Sequence, residues 1–170
     1  ESLRSDTGRN PETSWDYLDM AVDAPTEKEA VKYAKKALEL DAYCTDAEVM
    51  IADIQYGRDP EKFKKKLEKI IAKTEKHLRE EGFFDDDCIG DFWGILETRP
   101  YIRARHAYIE LLVALGKYKK AIEQCEEMLE LNRSDNTGSR YTLMGLYAHF
   151  ENEVSAIRLY KKYNECSVHM

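Results

Sequence analysis

The sequences AVKYAKKALEL (residues 30–40) and AIEQCEEMLEL (residues 121–131) decide the fold class, because they repeat one pattern at a shift of 91 residues. A weaker third copy, AIRLY, begins at Ala156. Within each copy the small and apolar residues recur at three- and four-residue spacing, which is typical of one face of an amphipathic helix. The repetition therefore predicts an all-α chain built from similar helical units.

Start and stop signals around these copies predict eight main helices. Asn10-Pro11 is a cap followed by the proline of a first turn, and Thr26-x-x-Glu29 and Thr45-x-x-Glu48 have the form of capping boxes. Asp59-Pro60 starts a long, lysine-rich helix that stops at Gly82. The expected helices cover residues 11–24, 27–40, 45–56, 60–81, 100–115, 117–131, 134–149 and 153–163.

An irregular insertion at about residues 83–99 interrupts this series. Phe92 and Trp93 are large apolar residues between two glycines, and we expect them to anchor the insertion in the core. Pro100 fits the first turn of the following helix, where its missing N–H costs nothing. The whole sequence, residues 1–170, is interpreted as one helical-repeat domain that contains this insertion.

Composition limits the functional classes. The chain has 170 residues, a net charge of −7 and a pI near 5.2, which argue against a nucleic acid or an anionic membrane as the main partner. No run of about 18 apolar residues predicts a membrane span. The four cysteines lie far apart and contain no CxxC pair, which favours reduced thiols and a cytoplasmic location.

The segment Gly116-Lys117-Tyr118, followed by Ala121-Ile122 and then Leu129-x-Leu131, resembles the tetratricopeptide (TPR) pattern, whose period is about 34 residues. The resemblance implies antiparallel helix pairs stacked into a right-handed superhelix. The proline that usually follows the second helix of a TPR pair is absent, and Ala42 and Arg133 stand in its place.

The sequence FWxxxETRPYxRAR, residues 92–105, together with LNRSDN at residues 131–136, is similar to a subgroup of bacterial TPR proteins of unknown function. It is more distantly similar to suppressor-of-tumorigenicity-type proteins. This resemblance implies a shared fold and identifies Phe92, Trp93, Glu97, Arg99 and Pro100 as a structural signature. It implies no reaction.

In TPR-like stacks the first helix of each pair lines a concave groove, so positions 2, 5, 9 and 12 of the repeat predict the groove residues. They are Glu12, Trp15, Asp19 and Val22; Asp46, Val49, Asp53 and Tyr56; Arg103, His106, Glu110 and Val113; and Thr137, Arg140, Met144 and Tyr147.

The main binding site is predicted at the C-terminal end of this groove, with Trp15 added from the first helix. Its residues are Arg103, His106, Glu110, Arg140, Met144 and Tyr147. Two arginines outweigh one glutamate there, which favours an acidic peptide or a carboxylate as the ligand. The lysine and asparagine of a carboxylate clamp are missing, because His106 and Glu110 occupy their positions. A solvated groove with ordinary salt bridges is the alternative.

For the other candidate sites we weigh a functional role against an ordinary structural one. Glu97 lies near the N-terminal end of a helix, where it can join the insertion to an arginine such as Arg99, Arg103 or Arg105. Asp85-Asp86-Asp87 lacks the spacing of a calcium loop, so we expect a hydrated loop and no metal. The four histidines do not pair with a cysteine or carboxylate at ligand or triad spacing. We therefore expect no enzyme activity and no cofactor.

Two functional hypotheses from different classes remain. The first is a non-enzymatic scaffold that binds a protein or peptide segment in the concave groove. The alternative is a structural or oligomerisation module of a larger protein, with no groove ligand. Homo-oligomerisation is compatible with both.

Overall fold

The computed structural model describes residues 11–165, apart from the side chain of Glu165, and this part of the chain forms eight α-helices. They are α1 Ser14–Val22, α2 Glu27–Leu40, α3 Thr45–Tyr56, α4 Pro60–Glu80, α5 Arg99–Ala114, α6 Tyr118–Leu131, α7 Ser139–His149 and α8 Glu153–Glu165. The extended pairing in residues 11–165 is limited to isolated bridges from Gly90 and Asp91 to Asn132. The predicted all-α class is confirmed.

Consecutive helices pack against each other, and α3 also packs against α5. Most connections are three to five residues long, and such short connections make neighbouring helices antiparallel. Contact between α3 and α5, which start successive pairs, is what stacked helix pairs require. The arrangement is consistent with a TPR-like protein, and the right-handed superhelical twist stays a prediction.

The core changes character along the chain. In α1–α3 it consists of Leu18 with alanines from all three helices. The predicted small-residue stripe of α2 is confirmed, since Ala34 and Ala37 are completely buried. The core of the second half is made of large side chains, among them Phe92, Tyr101, Ile102, Met128 and Leu143.

Two helix starts follow the expected chemistry, and one is displaced. The hydroxyl of Thr26 accepts a hydrogen bond from the N–H of Glu29, and the Asp59 carboxylate accepts one from the N–H of Lys62, so both residues are confirmed as N-caps. Of the predicted Thr26 capping box, only this half is formed in the described residues. Asn10 lies outside the described residues. Helix α1 begins at Ser14, three residues after Pro11, because Thr13 and Asp16 cap each other reciprocally there.

The predicted capping box at Thr45 is wrong. Thr45 is the first residue of α3 itself, and it is only 2% exposed. Its hydroxyl bonds to Thr74 Oγ1 in α4 at 2.8 Å and donates to the carbonyl of Tyr43. A hydroxyl that joins two helices in the core is not available to cap the backbone N–H of Glu48.

Helix α7 starts five residues later than predicted. Its first turn is capped from the preceding loop, where the Asp135 carboxylate accepts hydrogen bonds from the N–H groups of Ser139 at 2.7 Å and Arg140 at 3.2 Å. Asp135 has a positive φ of 51°, so residues 132–138 form a turn before the helix. The apolar periodicity does not report this turn.

The irregular segment between α4 and α5, residues 81–98, is joined to the end of α6. The N–H groups of Gly90 and Phe92 both donate to the Leu131 carbonyl at 3.1 Å, and Arg133 N–H donates to the Gly90 carbonyl at 2.9 Å. Gly90 has φ +108°, and a Cβ there would lie 2.8 Å from Nε of Arg133. The positive φ favours glycine at this position, whereas the flexible Arg133 side chain could move away from a Cβ.

Candidate functional site

Helices α1, α3 and α5, with Phe63 of α4, line a groove with a volume of about 880 Å³. All three are the first helices of their pairs, as expected for a concave surface. The groove is lined by Trp15, Leu18, Asp19, Val22, Asp46, Val49, Met50, Asp53, Phe63, Arg103, Ala107, Glu110, Leu111 and Ala114.

Eight of the residues assigned to the groove from repeat positions lie along it, three each from α1 and α3 and two from α5. They are Trp15, Asp19, Val22, Asp46, Val49, Asp53, Arg103 and Glu110. The repeat positions did not predict the remaining, apolar residues that line the groove, which are Leu18, Met50, Phe63, Ala107, Leu111 and Ala114. A helical signal for part of this set was present, because Ala107 and Leu111 continue the four-residue steps that begin at Arg103.

Charge in the groove is predominantly negative. Four carboxylates, those of Asp19, Asp46, Asp53 and Glu110, line it together with one arginine. That arginine is Arg103, whose guanidinium donates from both Nε and Nη2 to the two oxygens of Asp46. The pair joins α5 to α3 and leaves the remaining three carboxylates without a cation among the lining residues.

Large apolar side chains at the groove are exposed. Trp15 is 54% and Val22 is 66% exposed, and both lie on the same face of α1 because they are seven residues apart. Exposed aromatic and aliphatic groups beside a concave surface are characteristic of protein interaction sites.

The C-terminal binding patch predicted from the sequence is not assembled in this groove. Tyr147 is 7% exposed, and its hydroxyl donates to Glu126 of α6. Met144 packs against the large-residue core. These two side chains support the contact between α6 and α7 and offer little surface to a ligand.

Arg140 is also engaged within the protein. Its Nη2 donates to the Tyr141 hydroxyl at 2.8 Å, its Nε lies 3.7 Å from the Asp135 carboxylate, and its guanidinium lies over the Tyr163 ring. Because Arg103 and Arg140 both have acidic or aromatic partners, the expected pair of free arginines for an acidic ligand is absent from the described structure.

His106 lies beside the groove lining without belonging to it. Its Nε2 is 3.6 Å from Glu110 Oε1, one helical turn away, and its buried Nδ1 has no hydrogen-bond partner in the described part of the chain. Burial raises the pKa of Asp135, and hydrogen bonds from the backbone N–H groups of Arg140 and Ser139 partly offset that rise. The same two hydrogen bonds fix the start of α7.

The signature residues hold the 81–98 segment in place, by contacts that differ from those predicted. Phe92 is completely buried, whereas Trp93 is half-buried against the same core. Arg99 Nε donates to the Trp93 carbonyl, ahead of Pro100 in the first turn of α5. Glu97 is exposed and has no ion pair within the described residues, so it does not make the predicted link.

The link is made by Thr98, which the sequence analysis did not single out. Its completely buried hydroxyl contacts the carbonyls of Phe92 and Ile95. A buried hydroxyl is destabilising unless it is hydrogen-bonded, and the two bonds of Thr98 close the turn that leads into α5.

Other reactive groups do not assemble into a site. Residues 11–165 contain no group of three His, Cys, Asp or Glu side chains that could hold a metal ion. Cys44, Cys88 and Cys125 are free thiols, and burial raises the pKa of Cys125 to about 12, which suppresses the thiolate. No helix in the described range is long and apolar enough to cross a membrane.

Comparison with known proteins gives little beyond this geometry. No protein-family model and no curated protein matches the chain. Solved structures that resemble it include the MamA protein, with 17% identity and a TM-score of 0.37 over 91% of each chain. A mutant of MamA gives 18% identity and a TM-score of 0.37 over 92% of this chain and 93% of the other. At that TM-score the similarity supports no functional assignment.

Proposed function

We propose that this chain is a non-enzymatic interaction scaffold that binds a segment of a protein partner in the α1–α3–α5 groove. The observation that carries the proposal is the combination, along one concave surface, of exposed apolar side chains with carboxylates that have no cation among the lining residues. Trp15 and Val22 supply the apolar part, and Asp19, Asp53 and Glu110 supply the charge.

The charge of the groove determines which segment it favours. The acidic segment expected from the sequence would meet Arg103 already bonded to Asp46, with three further carboxylates nearby. Like charges across an interface are unfavourable, and opposite charges steer association. We therefore favour a helical partner segment with apolar residues on one face and lysine or arginine beside them.

The alternative function, a structural or oligomerisation module, has a separate observation in its favour. Helix α8 leaves Val154 69% and Tyr160 62% exposed, so the described residues do not cover its apolar outer face. A module that only assembles would use this face and leave the groove empty.

Fluorescence of Trp15 provides a direct test of groove binding. In a Trp93→Phe background Trp15 is the sole tryptophan, and burial beneath a ligand shifts its emission to shorter wavelength. The probe is a synthetic amphipathic helix of leucine and lysine, compared with a leucine–glutamate peptide of the same pattern. We expect the lysine peptide to produce the blue shift, and salt to weaken its binding.

Charge-matched variants separate the groove from the overall acidity of the protein. Asp19→Asn with Asp53→Asn removes two groove carboxylates, and Glu39→Gln with Glu130→Gln removes two exposed ones elsewhere. We expect about tenfold weaker binding of the lysine peptide for the groove pair only. Equal affinities for both double variants, or an unshifted Trp15, would refute the proposed site.

A further inference from the structure

Helix α8 carries an apolar face that no described helix covers. The buried side of α8 is formed by Leu159, which is 8% exposed and packs into the large-residue core. On the other side Val154, Ile157 and Tyr160 are 69%, 46% and 62% exposed. Three large apolar residues within two turns leave this face suited to contact another chain.

The repeat relates this face to a buried position of α6. AIRLY of α8 corresponds to AIEQC of α6, so Tyr160 stands where α6 has Cys125. Helix α7 packs against α6, and Cys125 is completely buried there. Among the described helices α8 packs against α7, and Tyr160 at the same repeat position is 62% exposed.

The cations on the outer side of α8 are opposite in charge to the groove carboxylates, and the exposed Glu153 adds one negative charge at the start of the helix. Arg158 and Lys161 are exposed, and Lys161 lies on the face of Val154 and Ile157 because it is seven and four residues from them. Asp19, Asp53 and Glu110 are the groove carboxylates without a cation among the lining residues. The α8 surface thus combines apolar groups with cations, and the groove combines apolar groups with carboxylates.

We propose that the outer face of α8 of one copy of this chain docks in the α1–α3–α5 groove of a second copy. This proposal rests on the proposed function and names the partner of the groove. Val154, Ile157 and Tyr160 contact the apolar residues of the groove, while Arg158 and Lys161 meet its carboxylates.

The lengths of the two surfaces agree. The groove helices present residues seven apart, Trp15 and Val22 on α1 and Asp46 and Asp53 on α3, which corresponds to about 10 Å along a helix at 1.5 Å per residue. Val154 and Lys161 on α8 have the same spacing. The docking face of α8 therefore spans the groove without unwinding from α7.

The proposed contact is head-to-tail, because the groove and α8 are different surfaces. Such heterologous contacts form rings when the rotation closes and filaments when it does not. The average mass of the protein in solution should therefore rise with concentration, and salt should reduce this rise because the contact includes ion pairs.

Sedimentation velocity over a concentration series, combined with charge reversal, tests the proposal. Arg158→Glu with Lys161→Glu reverses the α8 face, and Asp19→Lys with Asp53→Lys reverses the groove. We expect each double variant alone to self-associate at least about tenfold more weakly than the wild type. A mixture of the two should regain association, because the reversed α8 of one fits the reversed groove of the other.

The control variant Lys28→Glu with Lys35→Glu makes the same charge change as the α8 variant, at exposed positions of α2 that do not line the groove, and should associate like the wild type. Circular dichroism spectra establish that all variants are folded. A wild type that stays monomeric up to millimolar concentration, or a mixture that does not recover, would overturn the proposal. If the lysine peptide still shifts Trp15 emission in that case, groove binding stands and only the partner is wrong.

Discussion

The two halves of the molecule use different side chains to pack their helices. In α1–α3 the contacts are made by alanines such as Ala34 and Ala37, which bring helix backbones close together and bury little area per residue. In α4–α7 they are made by Phe92, Tyr101 and Ile102, all completely buried. The first half is thus packed around small residues, and the second half is packed around large ones.

Polar contacts between helices also differ between the halves. In the second half, tyrosine hydroxyls on α5 donate to glutamates on α4, Tyr101 to Glu75 at 2.7 Å and Tyr108 to Glu68 at 2.8 Å. Buried Arg105 donates to Gln124 of α6 at 2.9 Å. These bonds join α5 to the helices on either side of it, and α5 also lines the groove together with α1 and α3.

The largest expected effect is the loss of a core aromatic ring in the second half. Phe92→Ala removes a completely buried side chain and should lower the free energy of unfolding by about 3–5 kcal/mol. Trp93→Ala should cost less, about 1–3 kcal/mol, because Trp93 is half-buried. Urea denaturation measures both, and an equal or larger loss for Trp93 would show that the ranking by burial is wrong.

A smaller effect is expected from enlarging the alanine core of the first half. Ala34→Leu forces a bulky side chain into a completely buried position between closely packed helices and should cost about 1–3 kcal/mol. Lys35→Leu adds an apolar side chain at the adjacent exposed position and serves as control. If Ala34→Leu unfolds at the same urea concentration as the wild type, α1–α3 is not closely packed around this alanine.

The elements predicted from sequence are those that depend on neighbouring residues. Alanines at three- and four-residue spacing identified the buried face of α2, and Thr26 and Asp59 identified two helix starts. In each case the chemistry is complete within one turn of helix. The groove positions on α1, α3 and α5 could be assigned because the repeat relates them.

The failures arise where a side chain bonds to a residue distant in sequence. Thr45 has the form of a cap, but its hydroxyl bonds to Thr74, 29 residues away. Arg103 was placed at the ligand-binding end of the groove, and its guanidinium is already bonded to Asp46, 57 residues away. No local pattern reports such a pairing, so the charged residues could be located from the sequence, but not which of their charges are neutralised.

The smallest expected effect concerns the polar contact between α4 and α5, and it depends on pH. Burial alone would raise the pKa of Glu75, but hydrogen bonds from Tyr101 and Arg79 outweigh it and lower the pKa below the ordinary value of 4.5. The folded state thus binds the proton more weakly than the unfolded state. The charged form of Glu75 therefore contributes stability at pH values above 4.5, and this contribution is lost as the pH falls through the lowered pKa.

Glu75→Gln should accordingly cost about 1 kcal/mol near neutral pH, because the side chain is one-third exposed and the bonds from Tyr101 and Arg79 are partly screened. The difference from the wild type should shrink in acid, where the wild-type carboxyl is protonated as well. Urea midpoints at neutral and acidic pH measure it. Glu130→Gln, at an exposed position of α6, should show no such pH dependence. A Glu75→Gln difference that stays constant with pH would mean that the charge of Glu75 adds nothing to the contact between α4 and α5.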